Sequence, residues 1–486
     1  MKRITIDPIT RLEGHGKIEI FLGDDGEVAD VFFQVPELRG FEKFCQGRPV
    51  HELSRIVPKI CGVCPGAHHL ASGKAIDAVY SVDPPPTAKK LRELFYSAHF
   101  FHSHIAHFYA LAAPDFVLGP DSPPAQRNIL GVVAKVGLAL GGEVIKHRKI
   151  GQDIQATLAG HQTHVSWCVP GGVSKGITEA ERQEIIPLAK SSIEFAKTSI
   201  KVFNDVVLAN KGYVDLILSE PYKLVDHSMG LVDAKGKVNF YDGMVRVVDT
   251  AGKKIAEYAP KDYLQHVEER VEQFSYLKYP YLKAKGWKGF VEGQDSGVYS
   301  ATPLTRLNAA DGMATPLAQS EYERFYSTVG GKPCHAILAN HWARIVELMY
   351  AAERMLELAS DPEVAGPNFR TIPTATPHEG VGTVEAPRGT LTHHYVTDDR
   401  GIVTDANLIV GTTNNNAPIS MSIKKAAQGV IKRGVAPTQG ALNMIEMAFR
   451  AYDPCFSCAT HSLSGLAGFE IVIKEQDGTV VHRIAR

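Results

Sequence analysis

Two pairs of cysteines have the residue type and spacing of a metal site. Cys61 and Cys64 form one Cys-x-x-Cys pair, and Cys455 and Cys458 form another near the opposite end of the chain. Thiolate sulfur is a soft ligand, so four such side chains could hold structural zinc, an iron centre or a catalytic metal. Zinc knuckles usually close within some tens of residues. Because most of the chain lies between the pairs, a locally closed zinc site is disfavoured.

The residues around the pairs add detail. A histidine follows each pair, His68 after the first and His461 after the second. Gly62 lies inside the first pair, where the lack of a side chain would let another backbone segment approach closely. Pro454 precedes the second pair and is expected to stop the preceding helix, which would present Cys455 at the helix end.

The composition is that of an ordinary globular protein and argues against several classes. The chain has 486 residues, of which 44% are hydrophobic and 22% charged, and its net charge is −1. This balance gives no sign of a nucleic-acid partner or of an anionic membrane surface. The sequence has no apolar run long enough for a membrane span and no N-terminal signal region. The remaining cysteines, Cys45, Cys168 and Cys334, are expected to be buried free thiols.

The elements that must position the cysteines are mostly helices. Hydrophobic periodicity predicts helices at 87–113, 178–209, 340–359 and 439–452, the second opening with a capping box. Alternating residues around turn signals predict hairpins at 17–35, 244–258, 391–410 and 469–484. The fold class is therefore α+β and predominantly helical, with a central bundle of long helices and small antiparallel β-hairpins.

The predicted helix at 87–113 carries a group of histidines. Their spacing could suggest a ladder of metal or heme ligands, but it does not direct all of them to one helix face. Histidines hydrogen-bonded within a packed helix are the favoured interpretation for His99, His102, His104 and His107.

The flanks of both cysteine pairs resemble one known family, the large catalytic subunit of nickel–iron hydrogenases. The resemblance runs from the N-terminus to the last cysteine motif and is far more specific than a generic Cys-x-x-Cys. Besides the cysteine flanks, it is carried by Thr10-Arg-Leu-Glu13-Gly-His15, Arg39-Gly-Phe-Glu42, His341-Trp-Ala-Arg344 and Glu385-Ala-Pro387-Arg388-Gly389.

The resemblance implies a nickel–iron centre. Cys61 and Cys455 would be terminal ligands of nickel, and Cys64 and Cys458 would bridge nickel to iron. The iron would carry one carbon monoxide and two cyanide ligands.

Further roles follow from the same resemblance. A magnesium ion would be held by Glu42, by His461 and by a backbone carbonyl near Leu408. Glu13 would be the first proton relay, and Arg388 would lie over the open face of the metals. Pro387 would lie beside a cyanide, and the diatomic ligands would be lined by Val410, Gly411 and Thr412. His68 and Asp453 would support the metal ligands through contacts around them.

The chemistry of these residue types agrees with the implied roles. Heterolytic cleavage of dihydrogen needs a Lewis acid for the hydride and a base for the proton. A guanidinium stays charged, so Arg388 is better suited to electrostatic positioning than to accepting a proton. Glu13 is better matched to repeated protonation if burial raises its pKa. Taken singly, Glu13 and Glu42 could be surface carboxylates and Arg388 could form a loop ion pair, but their joint occurrence beside both cysteine pairs makes these alternatives improbable.

Several positions depart from the commonest pattern of the family. Lys59 and His161 replace common arginines, and Val165 and Gly411 replace common prolines. The last two changes resemble the cytoplasmic branch. The second cysteine motif is most similar to the methyl-viologen-reducing type, in which electrons pass to a heterodisulfide reductase or a comparable flavoprotein complex. Deazaflavin-reducing and NAD-reducing relatives remain open alternatives.

The chain itself cannot carry the electrons away. Its spare cysteines are too few for an iron–sulfur relay, so an iron–sulfur small subunit is expected. No nucleotide-binding glycine fingerprint is visible, so any such acceptor would bind another chain. A hydrogen sensor is a further alternative. A non-enzymatic relative, the respiratory quinone-reductase subunit, is disfavoured because it lacks the cysteine ligands.

The last residues of the chain form a separate question. In this family a maturation endopeptidase usually removes an extension just after the final histidine. The catalytic domain is therefore expected to be 1–461, and 462–486 to be an extension removed on maturation. The alternative is a retained hairpin, because residues 469–484 alternate around a turn signal.

Overall fold

Long helices make up much of the chain. A computed structural model describes residues 2–460, 470–474 and 480–485. The α-helices in these residues are α1 (Phe41–Cys45), α2 (Leu53–Ile56), α3 (Pro65–Val79), α4 (Pro86–Ala106), α5 (Ile129–Val136), α6 (Leu138–Ala159), α7 (Glu179–Phe203), α8 (Lys211–Ile217), α9 (Pro303–Ala309), α10 (Pro316–Val329), α11 (Asn340–Ser360), α12 (Gly411–Asn414), α13 (Asn416–Val430), α14 (Gln439–Arg450) and α15 (Phe456–Ala459).

The strands are short and are distributed among several small sheets. They are β1 (Lys2–Ile6), β2 (Lys17–Leu22), β3 (Val28–Gln34), β4 (Cys168–Val169), β5 (Gly172–Val173), β6 (His227–Val232), β7 (Met244–Val248), β8 (Lys254–Tyr258), β9 (Val267–Val271), β10 (Lys278–Leu282), β11 (Tyr299–Ser300), β12 (Glu379–Ala386), β13 (Gly389–Thr397), β14 (Val403–Ile409), β15 (Glu470–Lys474) and β16 (Val480–Ala485).

The core of the fold is a bundle of the longest helices. Helix α4 packs against α6 and α11, and α11 also packs against α7. Almost every residue of α4 from position 91 onward is buried, which explains why its sequence is apolar on more than one face. Helix α7 begins with the predicted capping box, in which Thr178 and Glu181 satisfy each other's backbone N–H groups. The predicted α+β class with a central helical bundle is confirmed.

The predicted helix at 87–113 changes its winding before it ends. It is α-helical to Ala106 and continues as a π-helix over His107–Ala112, and a second π-helical segment covers Pro114–Leu118. The predicted helix at 178–209 likewise continues as a π-helix over Asn204–Leu208. Such segments are uncommon and frequently adjoin functional sites. The first of them begins at His107, which contacts Asp453 beside the second cysteine pair.

The predicted hairpins are present, and one of them is larger than expected. The pairs β2–β3, β7–β8 and β13–β14 are antiparallel, and β12 adds a third strand beside β13. The sheet β12–β13–β14 packs closely on α3, because a side chain at Gly380 or Gly382 would meet the α3 backbone within 2.4 Å. One pairing elsewhere, β11 with β6, is parallel.

The two ends of the described chain differ from the sequence expectations in different ways. Helix α14 ends at Arg450, before Pro454, so the proline does not itself end the helix as expected. The hairpin predicted at 469–484 is confirmed for its two strands, since β15 and β16 pair antiparallel. None of the helices in the described part of the chain has the length and apolarity of a membrane span.

A buried ion-pair network joins the bundle to the sheet next to the cysteines. The guanidinium of Arg306 donates to Glu347 at 2.6 Å and to Glu385 at 2.8 Å, and all three side chains are inaccessible to solvent. Arg306 also donates to the carbonyl oxygen of Ala386 at 2.7 Å, and His104 contacts Glu347 at 2.8 Å. Because Ala386 precedes the turn that carries Pro387 and Arg388, this network holds that turn against α9 and α11.

Candidate metal centre

The fold brings the two cysteine pairs together. Cys61 follows a short 3₁₀ turn and Cys64 precedes α3, whereas Cys455 and Cys458 lie at the start of α15 and within it. The sulfur of Cys61 lies 2.8 Å from that of Cys455, and the sulfur of Cys64 lies 3.4 Å from that of Cys458. All four sulfurs lie within 4.8 Å of one another, and all four residues are buried.

The electrostatics of this cluster suit a soft metal. Burial opposes ionisation of Cys61, yet hydrogen bonds from the neighbouring thiols and the charge of Arg388 lower its pKa. Burial raises the pKa of Cys455 and of Cys458, and the pKa of the neighbouring Cys64 thiol is also raised. The thiols therefore cannot all ionise together without added positive charge. Soft divalent metal ions supply that charge, so the donor set fits them.

Backbone N–H groups support the first pair. The N–H groups of Val63 and Cys64 donate to the sulfur of Cys61 at 3.3 and 3.2 Å. The expectation for Gly62 is wrong, however. A side chain at this position would meet no atom within 4 Å, so no backbone segment approaches it.

Glu13 clamps the second pair through both its backbone and its side chain. Its carbonyl oxygen accepts from the N–H of Phe456 at 3.0 Å. Its carboxylate lies 2.8 Å from the sulfur of Cys455 and accepts from the N–H of Ser457 at 3.2 Å. Burial is the main cause that raises the pKa of the Glu13 carboxyl. The carboxyl group therefore holds a proton to a higher pH than an exposed glutamate would.

His68 contacts the opposite side of the cluster and begins a polar chain. Its Nε2 lies 3.4 Å from the sulfur of Cys458, and its Nδ1 lies 3.1 Å from Nε2 of His393. His393 in turn contacts the hydroxyl of Tyr395 at 2.7 Å, and Tyr395 donates to Ser72 at 3.0 Å. This chain fixes the orientation of the His68 ring beside the sulfur.

Arg388 is held in place by an acid and a hydroxyl. The guanidinium lies 2.9 Å from the carboxylate of Asp453 and donates to the hydroxyl of Ser103 at 3.2 Å. His107 lies 3.1 Å from the same carboxylate. Burial opposes the charge of Asp453, but Arg388 and His107 outweigh it and lower its pKa. The backbone of Asp453 has a positive φ of 55°, which aims this short polar side chain back toward Arg388.

One asparagine organises the segments that carry the remaining predicted residues. The side-chain amide of Asn415 donates to the carbonyl oxygens of Arg388 and Gly411, each at 3.0 Å. A side chain at Gly411 would meet backbone atoms of Gly389 at 3.0 Å, so the two segments touch here. Val410 precedes α12, and the hydroxyl of Thr412 accepts from the N–H of Cys455 at 2.9 Å. Pro387 lies in the turn between β12 and β13.

The residues predicted to hold magnesium are partly described. The carboxylate of Glu42 accepts from the N–H of Leu408 at 2.9 Å and lies 3.2 Å from the ammonium group of Lys278. Lys278 also contacts Glu269 and Asn407. His461 lies outside the described residues. Glu42 and Leu408 are therefore neighbours, and their magnesium role stays a prediction.

Several residues in contact with the site were not identified from the sequence. They belong to neither cysteine motif, so only the tertiary fold reveals that they contact the site: Ser103, His107, His393, Tyr395 and Asn415. The histidines of α4 have separate partners, such as Gln155 for His102 and Glu347 for His104. They do not form a ladder of ligands.

A large cleft connects this site with the protein surface. It has a volume of about 710 Å³, and Glu13, Arg388 and Asp453 line it at its inner end. Ile129 and Ile145, which are 46% and 72% exposed, line it farther out. The cleft surface is mainly apolar, so a small apolar reactant can approach the metal site through it.

Comparisons with known proteins identify the family. The sequence profile described as nickel-dependent hydrogenase matches residues 39–120 and 143–461, and a profile described as HoxL-like matches residues 3–38. The chain is 48% identical over 484 residues to an iron–sulfur subunit of the F420-non-reducing hydrogenase of Archaeoglobus profundus, covering 100% of this chain and 99% of that relative. It is 37% identical over 499 residues to the beta subunit of the NAD-reducing hydrogenase HoxS of Cupriavidus necator, covering 100% of both chains.

A solved structure agrees with these sequence relatives. The NAD⁺-reducing [NiFe]-hydrogenase in the H₂-reduced state superposes with a TM-score of 0.89 and 38% identity, covering 95% of this chain and 100% of that chain. The chain therefore belongs to the large-subunit family of nickel-dependent hydrogenases. It is an oxidoreductase that acts on dihydrogen, and the buried cysteine cluster is the place for its nickel–iron centre.

Loss of one sulfur from the cluster should abolish metal retention. We expect the Cys455→Ala variant to retain almost no nickel, because the remaining thiols no longer form a closed donor set. Nickel per chain can be measured by inductively coupled plasma mass spectrometry. The matched control is Cys45→Ala, which removes a buried thiol outside the cluster and should retain nickel. Full nickel occupancy in Cys455→Ala would contradict the assignment of this cluster.

Proposed function

We propose that this chain carries a nickel–iron centre with one carbon monoxide and two cyanide ligands and catalyses reversible cleavage of dihydrogen into protons and electrons. The observation that carries the proposal is the buried cluster of four thiols with a carboxyl group 2.8 Å from one sulfur. When bound, the centre supplies heterolytic cleavage of dihydrogen. The protein supplies the thiolates, a route for the proton and a fixed cation beside the open face.

The cysteines have different roles in this proposal. Cys61 and Cys455 would bind nickel alone, and Cys64 and Cys458 would bridge nickel and iron. The contacts made by the sulfurs support this inequivalence. The sulfur of Cys455 contacts the acid Glu13, whereas the sulfur of Cys458 contacts the imidazole of His68. A proton acceptor beside a terminal thiolate can exchange protons with it without disturbing a bridging sulfur.

The residues of the Arg388 turn surround the open side of the centre. Arg388 remains charged, and Asp453 and Ser103 fix its orientation, so it can stabilise negative charge without giving up a proton. Pro387, Val410, Gly411 and Thr412 provide a surface around the diatomic ligands of the iron. This role is supported by Asn415, whose side-chain amide joins the Arg388 segment to the Gly411 segment.

A magnesium ion is proposed at the adjoining position. Glu42, His461 and the backbone carbonyl of Leu408 would bind it, since hard oxygen ligands and a few waters suit this ion. The Glu42 carboxylate accepts from the N–H of Leu408, so Glu42 lies beside the Leu408 backbone, and this proximity supports the proposal.

The electrons are proposed to leave through an iron–sulfur small subunit. The similarity to F420-non-reducing hydrogenases favours onward transfer of the electrons to a heterodisulfide-reductase-like complex. Methyl viologen can replace this acceptor in an assay. A second candidate is a flavoprotein partner that reduces NAD⁺, and the similarity to the NAD-reducing hydrogenases favours it. The resemblance to this branch also favours a cytoplasmic location. Reduction of NAD⁺ by the purified complex would distinguish the two acceptors.

The function can be tested on the purified complex. We expect infrared absorption bands of iron-bound carbon monoxide and cyanide, together with hydrogen-dependent reduction of a viologen dye. The Cys455→Ala variant, purified in the same way, should show neither signal. A metal-loaded complex without these bands would defeat the proposed centre. Bands without dye reduction would favour a hydrogen sensor instead.

The proton role of Glu13 can be tested separately. In the Glu13→Gln variant we expect exchange between D₂ and solvent protons to fall at least about 100-fold, because the amide cannot accept the proton, while nickel content stays unchanged. Mass spectrometry of the gas phase measures this exchange. Glu37→Gln is the matched control, since Glu37 contacts the Ser457 hydroxyl but no sulfur. Normal exchange in Glu13→Gln would refute the relay.

The end of the chain is proposed to be processed. The domain that functions is 1–461, and a maturation endopeptidase removes 462–486 after His461. Intact mass spectrometry of active enzyme should give the mass of the shortened chain. An active enzyme with the full-length mass would show that the segment containing β15 and β16 is retained.

A further inference from the structure

A second, smaller cavity adjoins the segment that carries the first cysteine pair and borders the cleft that Glu13 lines. It has a volume of about 60 Å³ and is bounded at its inner end by Gly62 and Gly66 of the segment that carries the first cysteine pair. We call it the histidine chamber, after the polar residues that line it: His99, His102, Ser103, Gln155, Gln162 and His164. The function derived above uses none of these residues except Ser103.

The chamber is polar and is built by close packing of two helices. A side chain at Gly151 of α6 would meet the carbonyl oxygen of Ala98 and Cβ of His102 at 2.9 Å, so this glycine lets α6 lie directly on α4. The contact brings Gln155 within 2.9 Å of His102 Nε2. Gly66 acts in the same way for α3, because a side chain there would meet the His99 ring at 3.0 Å.

Two imidazoles of the chamber have polar atoms without a protein partner. Nε2 of His99 and Nδ1 of His164 are both buried atoms that make no hydrogen bond within the described part of the chain. His99 itself is only 1% exposed. A buried polar atom without a partner is costly, and ordered water commonly satisfies it. The chamber volume suffices for more than one water molecule, and its walls offer several further partners.

The charge of the lining favours water over an ion. Among the described residues, those that line the chamber include one cation, Arg148, and no carboxylate. Burial lowers the pKa of His99, and it lowers that of His102 to about 3, so both rings are neutral at ordinary pH. A neutral imidazole has one donor and one acceptor nitrogen, which matches the hydrogen bonding of water.

The chamber links the metal centre to the surface. At its inner end Ser103 accepts a hydrogen bond from Arg388, and the chamber shares Val63, Gln152 and Gln162 with the cleft that Glu13 lines. At its outer end lies the segment of Gln162 and His164, where Gln162 is exposed and His164 is half-buried.

We propose that the histidine chamber binds ordered water and forms a second proton route between the metal centre and solvent, parallel to the Glu13 route. A proton entering from the cleft passes to a chamber water. It then passes through further chamber waters, which the neutral imidazoles and Gln155 hold in place by hydrogen bonds, and reaches solvent at Gln162 and His164. No electron moves, and each carrier returns to its starting protonation state. This proposal rests on the proposed function.

The first test detects the water. A high-resolution crystal structure of the metal-loaded complex should show ordered waters within hydrogen-bonding distance of His99 Nε2 and His164 Nδ1. A dry chamber would overturn the proposal. Because this measurement needs no turnover, it is independent of whether the dihydrogen activity is assigned correctly.

The second test measures proton transfer. The double substitution His102→Phe and Gln155→Leu replaces both polar groups by somewhat larger apolar side chains of similar shape. In the Glu13→Gln background we expect it to lower the residual D₂–solvent exchange by at least about tenfold. The control is His147→Phe in the same background. His147 is a buried histidine on α6 that contacts Ser191 and stacks on Phe195, and it does not line the chamber. Exchange should be unchanged by it.

The outcomes of the second test are separable. Unchanged residual exchange after the double substitution, or no residual exchange in Glu13→Gln alone, would overturn the second route even if water is present. Infrared bands of each variant verify that the centre is intact. If the double variant loses them, His164→Phe at the half-buried outer end decides the question by the same exchange measurement. Absence of bands and exchange in the unsubstituted complex would instead refute the proposed function.

Discussion

Closure of four buried thiols from the two ends of the chain is the constraint on which the rest of the structure depends. The sulfurs lie within 4.8 Å of one another in the interior, where each ionised thiolate has an unfavourable solvation energy. Such a group is stable only when positive charge and hydrogen bonds compensate it. Metal ions provide most of that charge, and the backbone N–H groups of Val63 and Cys64 provide part of the hydrogen bonding.

The protein balances the remaining charges in pairs around the cluster. Arg388 is compensated by Asp453, and Arg306 is compensated by Glu347 and Glu385. These groups are buried, so removal of one partner would leave an uncompensated charge in the interior. Their effect on the structure is geometric. The Arg306 network holds the backbone before Pro387, while Asp453 and Ser103 hold the Arg388 guanidinium, so this cation has a fixed orientation beside the thiol cluster.

The parts of the site that lie next to each other in the sequence were the most predictable. The Cys-x-x-Cys spacing and its flanks predicted the metal cluster, and the motifs around Glu13 and Arg388 predicted two of its neighbours, which the fold brings to it. The polar chain from His68 through His393 to Tyr395 depends on the packing of α3 against β13, and no local sequence pattern indicates that packing.

The π-helix at His107 was missed for a different reason. Its apolar periodicity resembles that of an α-helix, so the sequence predicts a continuous α-helix there. The prediction for Gly62 was wrong because a glycine can leave space for a cavity as well as for another backbone segment. No backbone segment lies against Gly62, which instead lines the histidine chamber.

The backbone contact between Glu13 and Phe456 has a consequence for how sequences of this kind can be recombined. The N-terminal loop and the last helix are joined by main-chain atoms as well as by side chains. A chimera with a single crossover in the middle of the chain takes the two cysteine pairs from different parents, and it must also match the loop of one parent to the terminal helix of the other. Exchange of the central region alone leaves both ends from one parent and preserves this match. A chimera with two crossovers therefore keeps the contacts between the two ends of one parent, whereas a chimera with one crossover has to form them between two parents.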